Sequence, residues 1–213
     1  MAEERLVSVE TMRKSDAWTI AHLTDSRELM RRAGQGIFEA AEWKAPVGIV
    51  CGKGNNAGDG YVVALLLHEA GIPCELIRLS GDLSADGAYY FGLCRDAGIP
   101  DRFFGPETDL HGYASILDCI FGTGFSGKVR PPYDEAIRKI NESGAYVVSA
   151  DINSGLNGDS GKGELFVRSD LTVSIGNFKF GHFRGKADTA MKKKVNVDIG
   201  IKIVTDEELE NGV

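Results

Sequence analysis

No stretch of the 213-residue chain approaches the ~20 consecutive apolar residues that a membrane span needs. The opening Met-Ala-Glu-Glu-Arg has neither the basic region nor the apolar run of a secretory leader, so a soluble, untargeted chain is expected. Positive charge is scarce. Lys and Arg number 24 against 31 Asp and Glu, and the net charge of -7 offers no global attraction to nucleic acid or a membrane surface. A phosphate-bearing ligand must therefore be held by local groups. Cysteine is also sparse: Cys51, Cys74, Cys94 and Cys119 form no CxxC pair, and Cys51, Cys74 and Cys119 sit in apolar strand-like runs as small core residues. That usage fits a reducing, cytoplasmic compartment. His22, His68, His111 and His182 show no metal-ligand spacing, and no Ser/His/Asp or Cys/His set assembles, so neither zinc chemistry nor a hydrolase triad is indicated. Repeats, low-complexity tracts and Pro/Ser-rich linkers are lacking too. The basic run Lys192 to Lys194 reads as a solvated turn ahead of a strand.

What is present is an ordinary globular balance, 43% hydrophobic and 26% charged, enough to bury a core without staples. Apolar residues at Leu29, Ala33, Ile37, Ala40 and Ala41, opened by Thr24-Asp25-Ser26, predict an amphipathic helix running toward Lys44. A shorter helix is expected from Val9 to Leu23, with Met12, Ile20 and Leu23 inward. Beyond these, strands and helices alternate. Strand-like runs are Val47 to Cys51, Cys74 to Leu79, Ser115 to Phe121, Ala145 to Ile152, Leu171 to Ile175 and Val195 to Ile199. Helix-like runs are Asp59 to Ala70, Ala85 to Ala97 and Tyr133 to Glu142. Several strands are apolar throughout rather than alternating, as a parallel sheet covered on both faces requires. The expected architecture is an α/β Rossmann-like three-layer sandwich, one domain over 1–213 with a helical extension to about residue 45.

In such sheets, ligands collect outside the carboxyl ends of the strands. Four loops there carry chemistry. Gly52-Lys53-Gly54-Asn55-Asn56-Ala57-Gly58-Asp59-Gly60 follows the first strand; small residues let a ligand approach the backbone, and the asparagine amides serve a cation or phosphate oxygens. Gly122-Thr123-Gly124-Phe125-Ser126-Gly127-Lys128 formally matches both GxGxxG and GxxxxGK. Arg130-Pro131-Pro132 displaces the helix that should receive pyrophosphate, however, and Val129 stands where a magnesium-binding Ser or Thr belongs. A glycine-rich phosphate cradle with Lys128 adding charge remains. Asp151-Ile152-Asn153-Ser154-Gly155 ends another apolar strand and offers a carboxylate, a hydroxyl and a carbonyl. Asp118 lies inside an apolar strand, where it must find a cation or several donors. Lys179, after the strand ending at Ile175, is a candidate charge or proton partner.

Taken in order, Leu29-Met30-Arg31-Arg32-Ala33-Gly34, GKGNNAGDG, Asp118 to Phe125, DINSGLNGDSG and Thr172 to Lys179 resemble the NAD(P)H-hydrate epimerase family, also called the YjeF N-terminal domain, over about residues 9–204. The resemblance implies a homodimeric sandwich that acts on hydrated NADH or NADPH, interconverting R and S forms, and binds potassium. It implies substrate contacts at Asn55, Asn56, Ala57, Gly58 and Asp59, at Gly122 to Lys128 (Gly122, Thr123, Gly124, Phe125, Ser126, Gly127, Lys128) and at Asp151. Potassium falls to Asn56, Asp118 and Ser154, hard oxygen donors that give the buried Asp118 a reason. Two positions depart from the usual NNGGDG and DIPSG: Ala57, which does not tolerate positive φ, and Asn153, expected to loosen the turn presenting Ser154. The family is often fused to a dehydratase, so a separate dehydratase is the expected partner. A non-catalytic scaffold of the same fold is the alternative, with no nucleic acid or membrane partner expected.

Inverting the hydroxyl-bearing C6 beside the ring nitrogen calls for loss and return of hydroxide through an iminium-like cation. Asp151 is nominated as the acid with a raised pKa, and Lys179 as its partner.

Overall fold

The computed structural model describes residues 6–205, 207 and 208. Helices α1 (Val9–His22) and α2 (Ser26–Ala40) precede β1 (Val47–Cys51), α3 (Asn55–Glu69), β2 (Cys74–Arg78), α4 (Ala85–Asp96) and β3 (Asp101–Phe103). Then come β4 (Ser115–Cys119), α5 (Tyr133–Glu142), β5 (Tyr146–Ala150), β6 (Ser169–Ile175), a 3-10 turn (Phe180–Phe183), α6 (Ala187–Ala190) and β7 (Met191–Val197). The seven strands form one sheet in the order β3-β2-β1-β4-β5-β6-β7, every neighbouring pair parallel.

Successive residues of each central strand divide between two cores. Ile49, Leu76, Leu117 and Val148 pack under α2, α3 and α4, while Val50, Ile77, Ile116 and Val147 pack against Ala136, Ile137 and Ile140 of α5. Both faces are thus apolar, which is why the strands read as continuous hydrophobic runs. Ser8, Asp25 and Ser84 accept a first-turn N–H and start α1, α2 and α4.

Several expectations are corrected. In α1, Ile20 and Leu23 are 41% and 60% exposed, and the buried face is Met12, Ser15 and Thr19. Hydrogen bonds decide this: Ser15 Oγ accepts from Val204 N at 3.0 Å and Thr19 Oγ1 from Lys202 N at 3.1 Å, so a polar face is buried against returning backbone. Helix α3 begins at Asn55 rather than Asp59. Ala57 therefore sits in a helical turn, absent from the positive-φ residues, and nothing there requires glycine. The short β3 carries no apolar run to announce it; it pairs with β2 and is tied by Asp101 to Arg78 at 2.7 Å. Lys192 to Lys194 lie within β7 at the sheet edge rather than in a turn before a strand. Lys192 reaches Asp170 at 2.6 Å, and edge lysines discourage further strand pairing.

Candidate active site

The chain runs from β1 outward to β3, then returns to the other side of β1 with β4, so the topological switch lies between β1 and β4. A cleft of about 560 Å³ opens there, lined by the loops after β1, β4, β5 and β6 and walled by α1 and α2. Gly52 makes the join possible: a Cβ on it would stand 2.1 Å from the Ile120 carbonyl oxygen, so only glycine lets the two loops touch. Gly54 caps α3 without a side-chain hydrogen bond, leaving first-turn N–H groups of that helix for a ligand.

Asp118, at the end of β4, is fully buried. Its carboxylate accepts from Ser154 Oγ at 2.5 Å, Ser154 N and Ser149 Oγ at 2.9 Å, and Ile120 N at 3.2 Å. All four donors are neutral, so burial still holds its carboxyl above the ordinary value. Ser154 Oγ also accepts from Phe121 N at 2.8 Å, lacing the β4 loop to the β5 loop. Asn153 does not loosen this turn. It is fully buried, its amide donates to Val167 O, Ser169 Oγ and Ala190 O, and its oxygen accepts from Thr172 Oγ1 at 2.6 Å. Asn56 is 8% exposed, yet neither its amide nitrogen nor its oxygen has a hydrogen-bond partner among the described residues. Both Asn56 and Asp151 border Gly122, on which a Cβ would lie 3.5 Å from Asn56 Cβ and 3.3 Å from Asp151 Oδ2. The unpartnered Asn56 amide oxygen, the Asp118 carboxylate without a charged donor and the Ser154 hydroxyl are each hard oxygen donors of the kind a monovalent cation takes. Among the described residues, no group of three His, Cys, Asp or Glu suits a metal ion.

Asp151 ends β5 with φ 61, alone among the described non-glycine residues in having positive φ. Its Oδ1 takes Lys179 Nζ at 2.6 Å and its Oδ2 takes Thr123 N at 3.1 Å. Lys179 is 1% exposed and also donates to Ile175 O at 2.8 Å, so it is no solvated strand-end lysine. His182 braces the pair: Lys179 N donates to Nδ1 at 3.1 Å, which assigns the ring proton to Nε2, 2.7 Å from the Asp151 carbonyl. Burial and the Lys179 charge lower its pKa and keep the ring neutral. Burial pushes the Asp151 carboxyl up, but the Lys179 charge and hydrogen bond outweigh it and hold it below the ordinary carboxylate range. This corrects the expected raised pKa: pairing with Lys179 favours the charged form of Asp151.

Two further carboxyls face the same space. Burial, reinforced by Asp151 and Asp16, pushes Asp59 well above its usual value. Burial likewise raises Asp16 to about 6, against the pull of Lys179 and with the push of Asp151. Sequence reasoning passed over Asp16, although it stands between Met12 and Ile20 on a helix face read as inward. His182 was set aside for want of metal spacing; its role is with backbone. Of the sequence-nominated residues, Asn55, Asn56, Asp59, Gly122, Thr123, Gly124, Phe125, Asp151 and Lys179 line the cleft. Ala57, Gly58, Ser126, Gly127 and Lys128 do not line it, and neither do the fully buried Asp118 and Ser154. The Lys128 side chain is 78% exposed and 3.6 Å from Glu164.

Fold and cleft define an open α/β protein with a nucleotide-sized site at its switch point. Residues 26–181 match the family described as YjeF-related protein N-terminus, and the chain belongs to it. It is 39% identical over 168 residues to the bifunctional NAD(P)H-hydrate repair enzyme of Coxiella burnetii, covering 75% of this chain and 34% of that one. The chain thus spans about a third of that relative's length. It is 34% identical over 203 residues to the NAD(P)H-hydrate epimerase of Anaerococcus prevotii, covering 85% and 91% of the two chains. The crystal structure of the yeast protein YNL200c superposes with TM-score 0.76 over 98% of this chain and 94% of that one, at 19% identity, an agreement of fold.

Proposed function

We propose that this chain is an NAD(P)H-hydrate epimerase, an isomerase interconverting the R and S forms of hydrated NADH or NADPH. The observation that carries the reading is the buried Asp151–Lys179 pair opening onto a cleft at the sheet's switch point, in a chain whose relatives are named for this activity. First-turn N–H groups of α3 and the Gly122–Phe125 loop suit phosphate. The hydrate carries a hydroxyl on C6, next to the ring nitrogen. Once that oxygen is protonated, the nitrogen lone pair expels water and leaves an iminium carbon open on both faces. The ionised Asp151 carboxylate stabilises that cation, and Lys179 keeps the carboxylate charged until it forms.

Potassium is assigned to Asn56, Asp118 and Ser154; when bound, it supplies a fixed positive charge beside Asp118 and a partner for the Asn56 oxygen. The working unit is a homodimer in the cytoplasm, and dehydration of the S hydrate falls to a separate enzyme. The test supplies the isolated R hydrate of NADH with and without potassium and follows the epimer ratio chromatographically. Faster approach to the R/S equilibrium than in buffer, lost in Asp151→Asn, is expected. A ratio that moves no faster than in buffer overturns the reading in favour of a non-catalytic scaffold.

A further inference from the structure

Helix α1 presents Met12, Asp16 and Ile20 to the cleft, spaced i, i+4, i+8 along one face. Asp16 is the charged member of an otherwise apolar stripe. The helix that carries it is fixed along its length. Val7 pairs in parallel with Lys179, Val9 N donates to Asp159 Oδ1 at 2.8 Å, and Ser15 and Thr19 hold the backbone of Val204 and Lys202. The anchor at Val7 is the residue pair beside the buried lysine itself, so α1 is registered directly against Lys179.

The charges facing Asp16 come from three other elements. Asp59 stands on α3, Asp151 at the end of β5 and Lys179 after β6, with His182 neutral behind Asp151. Lys53 and Asp86 stand elsewhere in the cleft lining. Three carboxyls sharing one buried ammonium cannot all ionise without strong repulsion. Asp151 takes the ammonium at 2.6 Å, so the other two hold their protons to higher pH than a free carboxyl would. Asp59, only 8% exposed, is the more deeply enclosed.

We propose that Asp16 is the acid–base residue of the epimerisation, giving a proton to the departing hydroxyl and recovering one from the returning water. This rests on the epimerase reading above. The Asp16 carboxyl proton bonds to the C6 hydroxyl oxygen; the C6–O bond breaks and its electron pair leaves with water. The ring nitrogen's lone pair forms the C=N bond, and the cation faces the Asp151 carboxylate. Water then adds to either face of C6, its surplus proton returns to Asp16, and no oxidant or reductant is consumed. The value of about 6 to which burial raises Asp16 suits a group that must both give and take a proton near neutrality, whereas Asp59, pushed well above the carboxylate range, stays protonated. Asp16 lies outside the segment matched to the family, residues 26–181.

The experiment measures kcat and KM for the R hydrate of NADH from about pH 5 to about pH 9 in wild type, Asp16→Asn and Asp16→Glu, with urea unfolding as a control for folding. Asp16→Asn is expected to lower kcat about 10²–10⁴-fold with KM nearly unchanged. Wild type should lose kcat as pH rises and Asp16 stays ionised; the Asn variant should lack that limb, and the Glu variant should keep it with part of the rate. Unfolding should show Asp16→Asn at least as stable as wild type at alkaline pH, since it removes a buried charge. An Asn variant with wild-type kcat and an unchanged alkaline limb overturns the assignment and leaves the epimerase reading standing. A wild type that does not move the epimer ratio overturns both.

Discussion

Two aspartates at the carboxyl ends of neighbouring strands, Asp118 fully buried and Asp151 half-buried, are treated in opposite ways. Asp118 at the end of β4 is met by four neutral donors, three of them from Ser149 and Ser154, on relaxed backbone. Asp151 at the end of β5 is met by a lysine and one backbone N–H, and its backbone sits at φ 61. The first arrangement fixes two loops against each other and leaves the carboxyl's charge uncompensated; the second compensates the charge and points it at the cleft. Neutral hydrogen bonds pull the Asp118 carboxyl down without offsetting its burial, whereas the lysine charge at Asp151 does offset it.

The sharpest way to break the contrast is Lys179→Met. It strands Asp151 as an unpaired buried charge and is expected to cost about 3–5 kcal/mol of stability, read by urea denaturation. The sign follows from the lowered Asp151 pKa. Its stabilising contribution is present above the unfolded-state value and lost as pH falls through the folded one, so the deficit of the variant should be largest near neutrality and shrink in acid. Epimerase activity should be lost with it.

On the other side, Asp118→Asn exchanges one oxygen for an NH2 group. Each carboxylate oxygen of Asp118 receives one backbone N–H, from Ile120 or Ser154, so whichever way the amide turns one N–H faces a donor. The expected cost is about 1–3 kcal/mol, smaller than for Lys179→Met. Any thermal stabilisation of wild type by potassium over sodium should vanish in this variant. The smallest effect is expected from Lys128→Ala, less than about 0.5 kcal/mol, because an exposed pair with Glu164 contributes little. Its KM for the hydrate should stay close to wild type; a large rise would return Lys128 to the phosphate site.

The sheet was legible because strands buried on both faces carry short runs rich in apolar residues, most plainly β1, whereas β2 holds Glu75 and Arg78 and β6 alternates Thr172 and Ser174 with Leu171, Val173 and Ile175. Asp118 and Asp151 were legible for the same reason: a carboxylate beside such a run needs an explanation. What was hidden is polar burial decided by distant backbone. Ser15 and Thr19 look like surface residues until Val204 and Lys202 return to them. Asn153 looks like a loosened turn until Val167, Ser169, Thr172 and Ala190 close around it. The protonation of Asp151 is hidden in the sequence because the 1% exposure of Lys179, 28 residues further on, and its 2.6 Å contact with the carboxylate arise only in the fold.

The seating of α1 also orders events in time. Its partners Lys202 and Val204 lie 183 and 189 residues further along the chain, so on the ribosome this helix emerges early and waits for nearly the whole sheet to be made. Closure of so long a loop comes late, after the local βαβ units have formed. The wall that brings Asp16 to the cleft is therefore expected to dock last and to open first, with amide exchange of α1 faster than that of β1 or β4. Competence for proton transfer would then arrive as the final step of folding.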